Sequence, residues 1–194
     1  NVADAKLASV FNFAYYEHFI GLSSDLMWKE IRKKFNLTPS VDGLIADEKE
    51  RKAIALKNAA LKPIPGVRDF ILALKKAGIK LAVASSGRGD IVRLILEKSG
   101  LKDFFPVVVT GEDVKNGKPA PDIFLKAASL SAVSPQEAIV IEDSRNGTLG
   151  GKAAQMRVVG YVNPKSGTQD LSKADIRVSS FMDPLLYEFC NIRK

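Results

Sequence analysis

From residue 67 onward, helix-like segments alternate with short, wholly apolar runs, and this alternation constrains the fold more than any other feature of the chain. Residues 67–77 read as helix and precede an apolar run at 79–84. Helix-like 90–99, 121–130 and 146–155 precede runs at 106–110, 138–141 and 158–162, and a last strand and helix are expected at 176–179 and 183–192. Strands that are apolar on both faces must be covered on both faces. The pattern therefore predicts an α/β fold, a Rossmann-like core whose parallel sheet is flanked by helices.

The first 61 residues have a different texture. Leu7, Val10, Phe11, Phe13 and Tyr15 recur at roughly helical spacing, and Ser23 or Ser24 can cap a second helix running through Trp28 and Ile31 to Phe35. A third, charged helix is expected over 47–61, and Lys62-Pro63-Ile64-Pro65-Gly66 then breaks the pattern. Two units are expected: a small all-helical one over 5–62 and an α/β one over 63–194. Phe11, Phe13, Tyr15, Tyr16 and Trp28 are assigned to the core of the helical unit, with pocket lining as the alternative.

Several classes are excluded on simple grounds. Apolar runs fall far short of the ~20 residues a membrane helix needs, and no signal peptide is visible. With Cys190 as the single cysteine, no disulfide can form within the chain, which suits a reducing cytoplasmic compartment. His18 alone cannot build a histidine-rich metal site. The net charge of +7 is spread among interleaved acids, so it reads as solvated surface rather than a nucleic-acid footprint, and it suits a phosphorylated substrate. A monomer is the default.

In open parallel sheets, ligands bind at the carboxyl ends of the strands. There Leu81-Ala82-Val83-Ala84 delivers Ser85 and Ser86, a hydroxyl and backbone N–H pair suited to an anion. Asn116-Gly117-Lys118-Pro119-Ala120-Pro121-Asp122 holds Lys118 between prolines, where it can neutralise a phosphate; Asp122 reads as a helix-start residue. Ile139-Val140-Ile141 ends in Glu142 and Asp143, oxygen ligands of the kind Mg²⁺ takes. Hydroxyl, lysine and paired carboxylates at successive strand ends together indicate phosphate binding beside a metal.

These segments resemble motifs II, III and IV of the haloacid dehalogenase superfamily, closest to its small sugar phosphatases and β-phosphoglucomutase-like proteins. The resemblance covers nearly the whole chain and implies a helical cap over 5–62. It also implies that Ser85, with Ser86, binds the transferring phosphoryl group, that Lys118 bridges that phosphate and the nucleophile, and that Asp143 with Glu142 holds Mg²⁺. The implied activity is Mg²⁺-dependent hydrolysis of a small phosphorylated metabolite through an aspartyl-phosphate.

Two departures bear on that reading. No Asp-x-Asp, the nucleophile motif of the superfamily, occurs in the 194 residues. Asn1-Val2-Ala3-Asp4 resembles the stretch immediately C-terminal to that motif, so the nucleophile and its strand, central in the sheet between the Ser85 and Glu142 strands, are expected upstream of Asn1. Asp4 matches a later, non-nucleophilic position. In the cap, Gly21-Leu22-Ser23 is followed by Ser24 where β-phosphoglucomutases carry an arginine for a second phosphate, and their cap histidine is Ser9 here. This favours a phosphatase; a phosphotransferase or an inactive binding protein are the alternatives. Gly150, Gly151 and Gln155 also depart from the resemblance, which expects alanines and a helix-ending glycine there.

Overall fold

A computed structural model describes residues 13–192. The expected strands follow one another in the expected order, with helices between them except between the last two. The helices are α1 (Phe13–Tyr16), α2 (Ser24–Phe35), α3 (Val41–Asn58), α4 (Val67–Lys76), α5 (Gly89–Lys98), α6 (Asp122–Leu130), α7 (Arg145–Ala153) and α8 (Pro184–Phe189). The strands are β1 (Ala82–Ser85), β2 (Val107–Thr110), β3 (Ile139–Glu142), β4 (Arg157–Tyr161) and β5 (Ile176–Val178). All strand pairs are parallel, as the apolar runs require. They form two ladders, β1–β2 and β3–β4–β5. Among the described residues, β1 pairs only with β2, and β3 only with β4.

The helices cover both faces. Ile123, Phe124, Ala127 and Ala128 of α6 pack with Val109 of β2, Val140 of β3 and Val158 of β4, so one helix closes over both ladders. Phe70 and Leu74 of α4 pack with Val159, Tyr161, Val178, Leu186 and Tyr187. A third apolar cluster, Phe19, Met27 and Ile31 with Tyr15, Leu22 and Trp28 against it, belongs to the helical segment alone.

The helical segment corrects two expectations. The charged helix begins six residues earlier than the pattern suggested, at Val41, because the Ser40 hydroxyl accepts from Gly43 N at 3.1 Å and caps its first turn. It ends at Asn58, where Lys98 of α5 takes the carbonyls of Leu56 and Lys57. The aromatic residues divide. Tyr15 stacks edge-on with Phe19 and Phe35, and Trp28 Nε1 donates to Glu48. Phe13 is 54% exposed and Tyr16 36%, so neither is core. Leu7, Ser9, Val10, Phe11 and Asp4 lie outside the described residues. His18 is exposed, its Nδ1 on the Ala14 carbonyl.

Candidate functional site

The ends of β1 and β3 are joined by a lysine. Lys118 is 3% exposed, and its Nζ donates to the Ala84 carbonyl of β1 at 3.0 Å and to a Glu142 oxygen at the end of β3. It also lies 4.7 Å above the Phe124 ring. A buried ammonium is tolerable only with such partners. The loop that delivers it is built locally: Lys118-Pro119 is cis, and Asp122 accepts from the backbone N–H and the side-chain amide of Asn116. Asp122 therefore staples the loop as well as opening α6.

Both Glu142 oxygens are engaged, one by Lys118 and the other by the Ser144 hydroxyl at 3.0 Å. Ser144 in turn accepts from Gly147 N at 2.9 Å, so the residue that caps α7 also orients Glu142. A β-carbon at Gly147 would fall 2.1 Å from that carboxylate. The glycine is what lets Glu142 turn back against the first turn of α7 toward the lysine.

Asp143 faces another way. Its Oδ2 accepts from Asn163 Nδ2 and Ser166 Oγ, both at 2.7 Å. Oδ1 receives no hydrogen bond from the described residues and stays open to a ligand. Among the described residues, no three His, Cys, Asp or Glu side chains gather into a metal cluster. A carboxylate oxygen left without a partner among the described residues is nevertheless a donor of the kind Mg²⁺ takes, since that ion keeps several waters and needs one or two carboxylates.

The two serines separate. Ser85 Oγ accepts from Gly87 N at 3.1 Å, whereas Ser86 donates to the Gly21 carbonyl at 2.7 Å. Ser86, Gly87, Arg88, Lys115, Asn116 and Gly117 line one wall of a 450 Å³ cleft, and Ser23, Ser24, Asp25, Leu26 and Ile45 line the other. Arg88 leans toward Asp90 and Glu112, at 3.5 and 3.4 Å.

Ser85, Glu142 and Asp143 are thus at or just beyond strand ends, Lys118 reaches Ala84 and Glu142 from its loop, and Ser86 joins the group to the helical segment. Sequence reasoning missed Ser144, Gly147, Asn163 and Ser166. For Asn163 a signal existed: it is a polar residue just beyond β4, where the strand-end rule applies. Ser166 had none, since its partner lies 23 residues away.

Known proteins resemble the chain in sequence and in fold. The family model for haloacid dehalogenase-like hydrolases matches residues 3–161. A bifunctional riboflavin kinase/FMN phosphatase of Arabidopsis thaliana is 38% identical over 63% of this chain and 33% of its own length. Hexitol phosphatase A of Escherichia coli is 36% identical over 65% of this chain and 57% of its own. The chain thus spans a third to somewhat over half of these relatives. The crystal structure of a β-phosphoglucomutase from Clostridium difficile superposes with a TM-score of 0.79 at 25% identity, covering 97% of this chain and 87% of that one. With the family model spanning most of its length, the chain belongs to the haloacid dehalogenase-like hydrolases.

Proposed function

We propose that this site is the phosphoryl-transfer centre of a Mg²⁺-dependent phosphatase acting on a small phosphorylated metabolite, in the first instance a sugar or sugar-alcohol phosphate. The observation that carries the reading is the buried Lys118, held by the Ala84 carbonyl and Glu142 between the ends of β1 and β3. A lysine fixed at that point can neutralise charge on a phosphoryl group without reorganising. The relative named hexitol phosphatase supports the substrate class.

In this reading Ser85 hydrogen-bonds the phosphoryl oxygens through its hydroxyl, which accepts from Gly87 N and is left to donate. Lys118 offsets charge on the phosphoryl group as it moves in line. Glu142 holds Lys118 in place, so the direct metal-ligand role expected of the pair falls to Asp143. Mg²⁺, when bound, supplies Lewis-acid neutralisation of phosphate oxygens. The nucleophilic aspartate belongs to a strand that fits between β1 and β3, beside Lys118. Residues 5–62 act as the cap over the core at 63–194, and the cleft between them takes the leaving group.

A phosphatase is favoured over a mutase by the helical wall of the cleft, where Ser23, Ser24, Asp25, Leu26 and Ile45 offer no cation for a second phosphate; the cations of the cleft, Arg88 and Lys115, lie on the opposite wall, and Arg88 is drawn to Asp90 and Glu112. The test is inorganic phosphate release by the full-length protein from hexose and hexitol monophosphates. Turnover should require Mg²⁺, stop on chelation and return on Mg²⁺ addition. Asp143→Asn should lower kcat by about 10²–10³-fold, the scale of losing a major charge-stabilising group. Undiminished turnover in that variant overturns the metal assignment, and an isomerised sugar phosphate in place of free phosphate overturns the phosphatase.

A further inference from the structure

The loop at 163–169 touches the site at one end and the helical segment at the other. At the first end, Asn163 and Ser166 both hold Asp143 Oδ2, and Asn163 Nδ2 also donates to Ser166 Oγ at 2.9 Å. Ser166 is buried, so its hydroxyl cannot swing away without breaking both contacts.

At the second end the loop clasps Glu17. Thr168 N and Thr168 Oγ1 donate to the two carboxylate oxygens, each at 3.0 Å. Gln169 Nε2 donates to the Glu17 carbonyl and, within the loop, to the Ser166 carbonyl, both at 3.0 Å. Gln169 Oε1 accepts from Arg145 N at 3.1 Å. Gly167, at φ +71°, makes the approach possible: a β-carbon there would sit 1.9 Å from a Glu17 oxygen. Glu17 opens the turn that carries Phe19 into the apolar cluster of the helical segment, and the same turn is tied to the core through Asn146 on the Ile20 carbonyl and Ser86 on the Gly21 carbonyl.

We propose that Glu17, Thr168 and Gln169 act through Ser166 and Asn163 as positioning residues for Asp143, so that seating of the helical segment on the core raises metal affinity. This rests on the reading of Asp143 as the metal ligand. A carboxylate with one oxygen fixed by two donors presents its other oxygen in a single direction. Removing such a support typically costs 10–100-fold in metal affinity. Releasing the clasp at Glu17 frees the loop that carries both donors, and the effect arrives at Asp143 although Glu17 never touches it.

The test is direct titration of the full-length protein with Mn²⁺, reading free ion by electron paramagnetic resonance, with folding checked by circular dichroism. Ser166→Ala should raise the dissociation constant about tenfold. Glu17→Ala, Gly167→Ala and Thr168→Val should each raise it several-fold, and Thr168→Ser should restore it. The Mg²⁺ concentration for half-maximal turnover should shift by the same factors, more than kcat at saturating Mg²⁺. If Glu17→Ala and Thr168→Val bind Mn²⁺ as the unaltered protein does, while Asp143→Asn loses it, the coupling is overturned and the metal reading stands. If Asp143→Asn binds normally, or the unaltered protein does not bind, the metal reading falls and the coupling with it.

Discussion

Lys118 and Glu142 are the pair on which the site turns, and their side chains are 4% and 11% exposed. Lys118→Met strands a buried carboxylate and should cost about 3–5 kcal/mol of stability, measured by urea unfolding. Adding Glu142→Gln should recover part of the loss, because residues in direct contact do not add independently. An equal or larger loss in the double variant would mean that the pair is not what holds the two strand ends. Glu142 was legible in the sequence because acids rarely close an apolar strand without a task, whereas Lys118 was legible only in combination with the serines and the acid pair, since a lysine in a proline-bracketed loop reads by itself as surface. Which partner each takes was not legible. Glu142 turns to Lys118 and Asp143 to Asn163 because Ser144 and Gly147 shape the first turn of α7, and that geometry exists only once the helix has formed.

Among the elements, α7 shows how packing reverses a propensity argument. Gly150 and Gly151 cost up to about 1 kcal/mol each relative to alanine in an isolated helix. In the fold, a β-carbon at Gly151 would meet Val158 Cγ2 at 2.8 Å, and one at Gly150 would meet the Phe124 ring at 3.0 Å. Val158 is fully buried on β4 and cannot retreat. Gly151→Ala should therefore destabilise by about 1–3 kcal/mol despite its better propensity, the usual cost of overpacking; a gain in thermal stability would contradict the close helix–strand contact. Gln155, just past α7, holds φ at +60°, the left-handed conformation that costs a non-glycine residue about 1–2 kcal/mol. Gln155→Gly should raise the unfolding free energy, by about 1 kcal/mol once the added freedom of the unfolded chain is counted. Sequence periodicity found every strand and the helices of the α/β part to within a few residues. It misjudged the start of α3 because Ser40, not the apolar spacing, sets it. It also misassigned Phe13 and Tyr16, which are exposed.

At the scale of the whole molecule, side-chain contacts tie the helical segment to the α/β part. Lys49 pairs with Asp90 at 3.0 Å, Lys98 takes the last carbonyls of α3, and Glu17 is clasped by Thr168. Hydrogen bonds from Thr168 hold the Glu17 carboxyl below the ordinary glutamate range. Asp175 is also lowered: burial pushes it up, but Lys152 and the Val158 N–H outweigh that. A carboxyl whose folded pKa is depressed adds stability that is present above its unfolded pKa and is lost as pH falls through the folded one. With unfolded values near 4, the melting temperature should be flat from about pH 7 to 5 and fall below about pH 4. Asp175→Asn should flatten that acid limb, and an unchanged limb would remove Asp175 from the account. The α/β class and the strand-end site could be read from a one-dimensional pattern because both depend on which residues must be buried. The contacts that seat one part on the other could not, since Glu17 and Thr168 are separated by 151 residues and carry no periodicity.

The most direct measurement of the central claim is inhibition by orthovanadate, a mimic of the in-line phosphoryl transition state, in the unaltered full-length protein and in Lys118→Met of confirmed fold. If Lys118 stabilises that state, vanadate affinity and kcat/KM should fall together, by about 10²-fold or more. Retained vanadate affinity alongside retained turnover would contradict a phosphoryl-transfer role for the lysine that joins β1 to β3.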